Sequence, residues 1–150
     1  MALILECSLS TKQVARLAGI TYATLDYWVR PERGNLLQCE IPAKGTGSER
    51  RFSFLDTIRV RAVAELRRQH VTLQTIRKVM AELARFGIED PLVQTGRLVI
   101  AGERVFWALD DNTLLDVLKG QLAAKPLVVI SMGELVQDTA LRVRELCAAA

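Results

Sequence analysis

Cysteine is nearly missing from this sequence and isolated where it occurs: Cys7, Cys39 and Cys147 form no CxxC pair. That spacing writes neither a disulfide framework nor a zinc knuckle, so three reduced thiols and no metal site are expected. Histidine is scarcer still. His70, the single copy, falls in a turn between two helical patterns, where no catalytic or ligand role is expected of it. Long apolar runs are also lacking: Pro126–Ile130, with Met132 beyond, is far too short to span a bilayer. No basic segment precedes the opening MALILECSL, which argues against a leader. A soluble, cytoplasmic chain with no membrane partner is the expectation. Internal repeats and low-complexity tracts are absent apart from the terminal Ala148–Ala150.

Half of the residues are hydrophobic and a quarter charged, the composition of a folded chain. Its 150 residues suffice for one or two small domains with a real core. The net charge of +3 hides a division. Met1–Gly87 carries 14 Lys and Arg against 8 Asp and Glu, whereas Ile88–Ala150 carries 6 against 9. A basic front and an acidic back point the front at a polyanion and the back at something else.

Within the front, Ser10–Arg30 reads as two short helices joined by a tight turn. Val14, Leu17 and Ala18 share one face of the first helix, and Leu25 and Trp28 one face of the second, so the two faces pack together. Ala15 is small enough for close approach, and Gly19 tolerates the positive φ of a sharp turn. Ser10 or Thr11 caps the first helix, with Gln13 as box partner of Ser10, and Thr21 caps the second. This is helix-turn-helix spacing. With Leu25 and Trp28 inward, Tyr22, Ala23, Thr24, Asp26 and Tyr27 occupy the outer face, where a recognition helix meets bases and phosphates.

Pro31 ends the second helix. Leu36–Ile41 and Arg50–Phe52 are expected to pair as a hairpin whose tip is the run Lys44-Gly45-Thr46-Gly47-Ser48, the pattern of a wing. Ser53, with Asp56 three residues on, caps a third helix whose stripe is Leu55, Ile58, Ala62 and Leu66. Arg59, Arg61, Arg67 and Arg68 lie largely off that stripe and give a basic exterior. Thr72 caps a fourth helix through Leu73, Ile76, Val79, Met80 and Leu83, ending near Phe86 and Gly87. Met1–Leu9 reads either as a short strand or as a packed arm.

The series AxLAGIT, TLDYWVR, RRFSFLDTIRVRAVAELR and VTLQTIRKVM resembles the DNA-binding domain of the MerR family of transcription regulators, over about residues 10–86. The resemblance implies a winged helix-turn-helix, with the second helix in the major groove and the wing on the flanking backbone. Carried onto this chain, it puts Lys12, Arg16, Arg30, Arg33, Lys44, Arg50 and Arg51 on phosphates, with Thr11 beside them, and Thr21, Tyr22, Thr24 and Tyr27 on bases. Two departures stand out. Asp26 occupies a position that is commonly basic in the family, so it accepts from a cytosine amino group, pairs with an arginine such as Arg30, or sits off the DNA. Gly87 and Pro91 stop the fourth helix where the family usually continues into a long dimerising coiled coil. The family's metal sensors use cysteines near that helix, and none is there.

After Asp90 the pattern changes to α+β. Arg97–Ile100 and Val105–Ala108 form a hairpin around Ala101-Gly102-Glu103, and Asp110-Asp111-Asn112 is a turn before a short helix, Thr113–Leu118. Leu127–Ile130 reads as a buried-type strand and Glu134–Cys147 as an amphipathic helix. Adjacent aspartates before an asparagine are turn residues, and no nucleophile, general base or phosphate loop accompanies them, so no enzyme activity and no cofactor are expected. The segment from Asp90 to Gln121 resembles, more weakly, the middle region of MerR-like antitoxins. The resulting expectation is an α+β protein with a winged helix-turn-helix at 1–87 and a small dimerisation or partner-binding domain at 88–150. It would act as a homodimeric, sequence-specific regulator on double-stranded DNA, nucleoid-associated when bound. The alternative is an antitoxin-like module that holds a second protein through residues 88–150.

Overall fold

The computed structural model describes residues 7–37, 39, 50–87, 90–120 and 127–149. A short strand β1 (Leu9–Ser10) leads into α1 (Thr11–Ala18) and α2 (Tyr22–Val29). Strand β2 (Arg51–Phe52) then precedes α3 (Phe54–Arg68) and α4 (Leu73–Ala84). The rest comprises α5 (Pro91–Thr95), β3 (Arg97–Ala101), β4 (Arg104–Ala108), α6 (Asp111–Gly120), β5 (Leu127–Ser131) and α7 (Met132–Ala149). The fold is α+β, a helix-turn-helix region followed by a small sheet. Among the described residues no helix is long and apolar enough to cross a membrane.

The helix starts follow their local chemistry. Ser10 Oγ accepts from the Gln13 amide at 3.2 Å, and Gln13 Oε1 accepts from the Ser10 amide at 2.9 Å, closing a capping box on α1. Ser53 and Asp56 close a second box on α3. Thr21 and Thr72 cap α2 and α4. Gly19 ends α1 with φ 70°, a left-handed position that favours glycine.

α3 is the centre of the packing. Phe54, Ile58, Val60, Ala62, Val63, Ala64 and Leu66 are all buried, which leaves it little solvent face. Other elements cover it on several sides, so Arg59 and Arg61 of the expected basic exterior are partly buried, while Arg67 and Arg68 at its C-terminal end are exposed as expected. Arg61 donates to Thr139 at 2.8 Å and pairs with Asp138 at 2.7 Å, tying α3 to α7. The Arg61 guanidinium holds the Asp138 carboxyl below the usual carboxylate range. Arg67 donates to the Val71 carbonyl, and Arg68 to the Ala18 carbonyl at the end of α1. Arg59 lies 3.6 Å from the buried Asp56. These arginines are used as connectors because the helix they stand on is enclosed.

One hydrophobic cluster runs through both halves, from Leu9, Val14 and Leu25 through Ile58 and Ile76 to Leu98, Ile100, Val136 and Val143. The sheet is antiparallel with order β4-β3-β5. The expected hairpin closes through Gly102 at φ 61°. Four expectations change. Arg51 and Phe52 pair with Ser10 and Leu9, not with Leu36 or Leu37, and the rest of the expected wing, Lys44 included, lies outside the described residues. β5 is an edge strand with Val128 and Ile130 buried but Leu127 and Val129 exposed, so it is not buried on both faces. The helix after β4 begins at Asp111, because Asp110 accepts from the Thr113 amide at 2.7 Å and acts as its cap. Cys7 and Cys147 are joined in a disulfide, with Cα atoms 6.5 Å apart; residues 140 apart meet only in the folded chain.

At Gly133 a Cβ would run into the Gln94 carbonyl, so the start of α7 can lie on α5 only without a side chain there. Gly133→Ala is expected to destabilise the protein by about 1–3 kcal/mol, as overpacking against backbone does. Urea unfolding checks this; an unchanged midpoint would show that the two elements are not held at that distance.

Candidate nucleic-acid interface

The outer face of α2 is set by what its inner face must bury. Leu25, Trp28 and Val29 are buried, which turns Tyr22 and Tyr27 outward at 53% and 45% exposure. Thr21 and Ala23 are exposed beside them. The Thr21 and Thr24 hydroxyls lie 2.8 Å apart, so the cap and the first turn share one hydrogen-bonding unit. Tyr27 is further fixed by Gly34: the Gly34 amide donates to the Tyr27 carbonyl at 3.0 Å, and a Cβ on Gly34 would lie 2.9 Å from the tyrosine ring. Arg77 of α4 donates to the Gly34 carbonyl at 3.0 Å, bracing that loop from behind.

Asp26 organises the charges on this face. Its carboxylate accepts from Arg30 Nε at 2.6 Å and from Arg50 Nη1 at 2.8 Å. Of the three alternatives for Asp26, the structure realises pairing with arginine, and it adds Arg50. The Arg30 hydrogen bond, followed by that of Arg50, holds the Asp26 carboxyl below the ordinary aspartate range against the opposing effect of burial. Arg30 also approaches Glu32 at 3.4 Å. Ala23, Asp26, Tyr27, Arg30, Glu32 and Arg33 line a shallow depression of about 480 Å³.

The other expected site residues fall into distinct places. Lys12 and Arg16 are exposed on α1, and Arg33 is exposed after α2; none of the three is in an ion pair among the described residues. Arg51 is partly buried, donating from Nε to Ser8 Oγ at 3.1 Å and from Nη2 to the Ser8 carbonyl at 2.7 Å. Thr11 is turned inward with 6% exposure, because Ser10 takes the cap and leaves Thr11 as the first helical residue. Sequence reasoning missed Ser8, Gly34 and Arg77, which position this face without standing on it. Glycine after a helix end was the one signal available, for Gly34.

Because the Asp26 pKa is lowered in the fold, its carboxylate contributes stability that is fully present above the ordinary aspartate value of 3.8. That contribution is lost as pH falls through the depressed value. Asp26→Asn should therefore be less stable than the parent at neutral pH, with the difference closing in acid. Urea denaturation of both proteins across that range checks it; a difference independent of pH would mean the ion pairs contribute nothing.

The chain matches the family model described as MerR HTH family regulatory protein over residues 9–83. It is also 33% identical over 106 residues to proteins named HTH-type transcriptional regulators in Mycobacterium bovis and Mycobacterium tuberculosis. The match covers 70% of this chain and 45% of each relative, so the chain spans less than half the length of those proteins. Caps, turn glycine, packed helix pair and buried third helix all fall inside the matched residues, and the chain belongs to the MerR family of helix-turn-helix regulatory proteins.

Proposed function

We propose that the protein is a sequence-specific, homodimeric DNA-binding transcription regulator that reads double-stranded DNA through α2. The observation that carries this reading is the capped α2 face with two outward tyrosines, together with Lys12, Arg16 and Arg33, which are exposed and in no ion pair among the described residues. Tyr22, Tyr27, Thr24 and Thr21 supply contacts to base edges, while Lys12, Arg16 and Arg33 hold phosphates. Arg30 and Arg50 approach the backbone from a cluster in which Asp26 already offsets part of their charge, and Arg51 and Lys44 extend the contact toward the wing. The relatives' names and family membership favour regulation over catalysis. Such a protein works in the cytoplasm and on the nucleoid.

Dimerisation is supported by the exposed Leu127 and Val129 on the edge strand β5, at 39% and 43%. Residues 1–87 serve as the DNA reader and 88–150 as the module that pairs with a second copy. An antitoxin-like role would place a different protein on that same face. Light scattering on the purified chain separates the two: a dimer supports self-association, whereas a monomer that dimerises with a co-expressed neighbour gene product supports the antitoxin role.

Selection from a random duplex pool should enrich a palindrome with half-sites about one helical turn, or a multiple, apart. On the selected duplex, Lys12→Ala and Arg16→Ala should each weaken all sequences alike and lower the salt slope by about 1. Tyr22→Ala should relax preference at one position instead. Binding that enriches no sequence and vanishes with salt would overturn the reading.

A further inference from the structure

We propose that Cys7 and Cys147 form a reversible redox site, closed by low-molecular-weight disulfides, whose oxidised state strengthens the DNA grip. The coupling and the argument from a reducing compartment rest on the DNA-binding reading above; the thiol exchange itself is tested independently of it.

The two cysteines belong to opposite ends of the sequence and meet at the seam between the reader and the C-terminal helix. Both are half-buried against the core, shielded from large reagents but not sealed from small ones. Cys7 immediately precedes Ser8, whose hydroxyl and carbonyl hold the Arg51 guanidinium. Leu9 and Ser10 follow as β1, paired with Phe52 and Arg51, and Ser10 caps α1. An anchor at Cys7 therefore fixes three consecutive residues that orient Arg51 and start the helix-turn-helix. β1 has only two residues, so the crosslink adds to the restraint it has from buried Leu9, the Ser10 capping box and the pairing with β2.

Cys147 lies in the last turn of α7, directly after Leu146. Arg142, Glu145 and Leu146 of that helix line a cavity of about 430 Å³ together with Lys12, Gln13, Arg16 and Leu17 of α1. Arg142 is paired with Asp138, which leaves Lys12 and Arg16 against Glu145 in this cavity; that net positive charge makes anionic glutathione disulfide the appropriate probe. A protein working on DNA sits where thiol buffers keep cysteines reduced, and a disulfide formed there is characteristically transient and redox-sensing.

The step balances as thiol–disulfide exchange. One cysteine thiolate attacks a sulfur of the small disulfide RSSR, forming a mixed disulfide and releasing RS⁻. The second thiolate attacks the protein sulfur of that mixed disulfide, closes Cys7–Cys147 and releases the second RS⁻. The two protons of the protein thiols pass to the two RS⁻. The protein is oxidised by two electrons and RSSR is reduced by two.

The test equilibrates the full chain in glutathione buffers of graded ratio, quenches with N-ethylmaleimide and counts alkylated thiols by intact mass. A single transition is expected between three modified cysteines and one, and between two and none for Cys39→Ser. In the same buffers, the oxidised protein should bind the selected duplex several-fold more tightly. Cys7→Ser and Cys147→Ser should stay at the reduced affinity at every ratio. Reduction should also lower Tm by about 5–15 °C, since the crosslink spans nearly the whole chain. Three alkylated thiols at the most oxidising ratio, or a stable glutathione adduct without ring closure, would overturn the redox site. A clean transition with equal duplex affinity in both states would overturn the coupling. A clean transition with no duplex bound in either state would count against the DNA-binding reading alone.

Discussion

The enclosure of α3 is the constraint from which the other features follow. A helix with this many buried side chains needs neighbours on several sides, and α1, α4, β2 and α7 supply them. Its polar residues must then find partners at the seams, since a buried polar group left unpaired is costly. Ser53 and Asp56 satisfy the first turn of the helix, Arg61 reaches α7, and Arg68 reaches the last carbonyl of α1, that of Ala18. The helix-turn-helix and the sheet module are consequently built around one shared helix.

The outer face of α2 is what remains once that packing is complete. Its two tyrosines are exposed because Leu25, Trp28 and Val29 occupy the inner side. The charges around them are arranged more economically than a count of arginines suggests. Asp26 takes one hydrogen bond each from Arg30 and Arg50, so these two cations tie α2 to the start of β2 as much as they add to the field. Lys12, Arg16 and Arg33 are exposed and in no ion pair among the described residues. Asp26 is the point where α2 is fastened to the residue that leads into β2.

What was legible in the sequence was what neighbouring residues decide. Capping boxes at Ser10 and Ser53, the left-handed Gly19, the inward Leu25 and Trp28 and the hairpin at Gly102 all depend on side chains within a few residues of one another. What was not legible depends on distant partners. Asp26 meets Arg50 across 24 positions and Cys7 meets Cys147 across 140, and no spacing rule reports either. β2 pairs with β1 because the turn of the fold brings the N-terminal residues there, which a search for a local hairpin misses. Arg59 and Arg61 of α3 read as exterior because periodicity identifies a stripe but not how many neighbours will cover the rest, whereas Arg67 and Arg68 are exposed as read.

The proposed DNA surface comprises α2 with Arg50 and Arg51 at the start of β2. Hydrogen–deuterium exchange with and without a selected duplex tests this most directly. Slowed exchange is predicted in residues 12–16, 21–33 and 50–51, with β3 and β4 unaffected. Protection confined to residues 97–131, or none in α2 at saturating duplex, would contradict it.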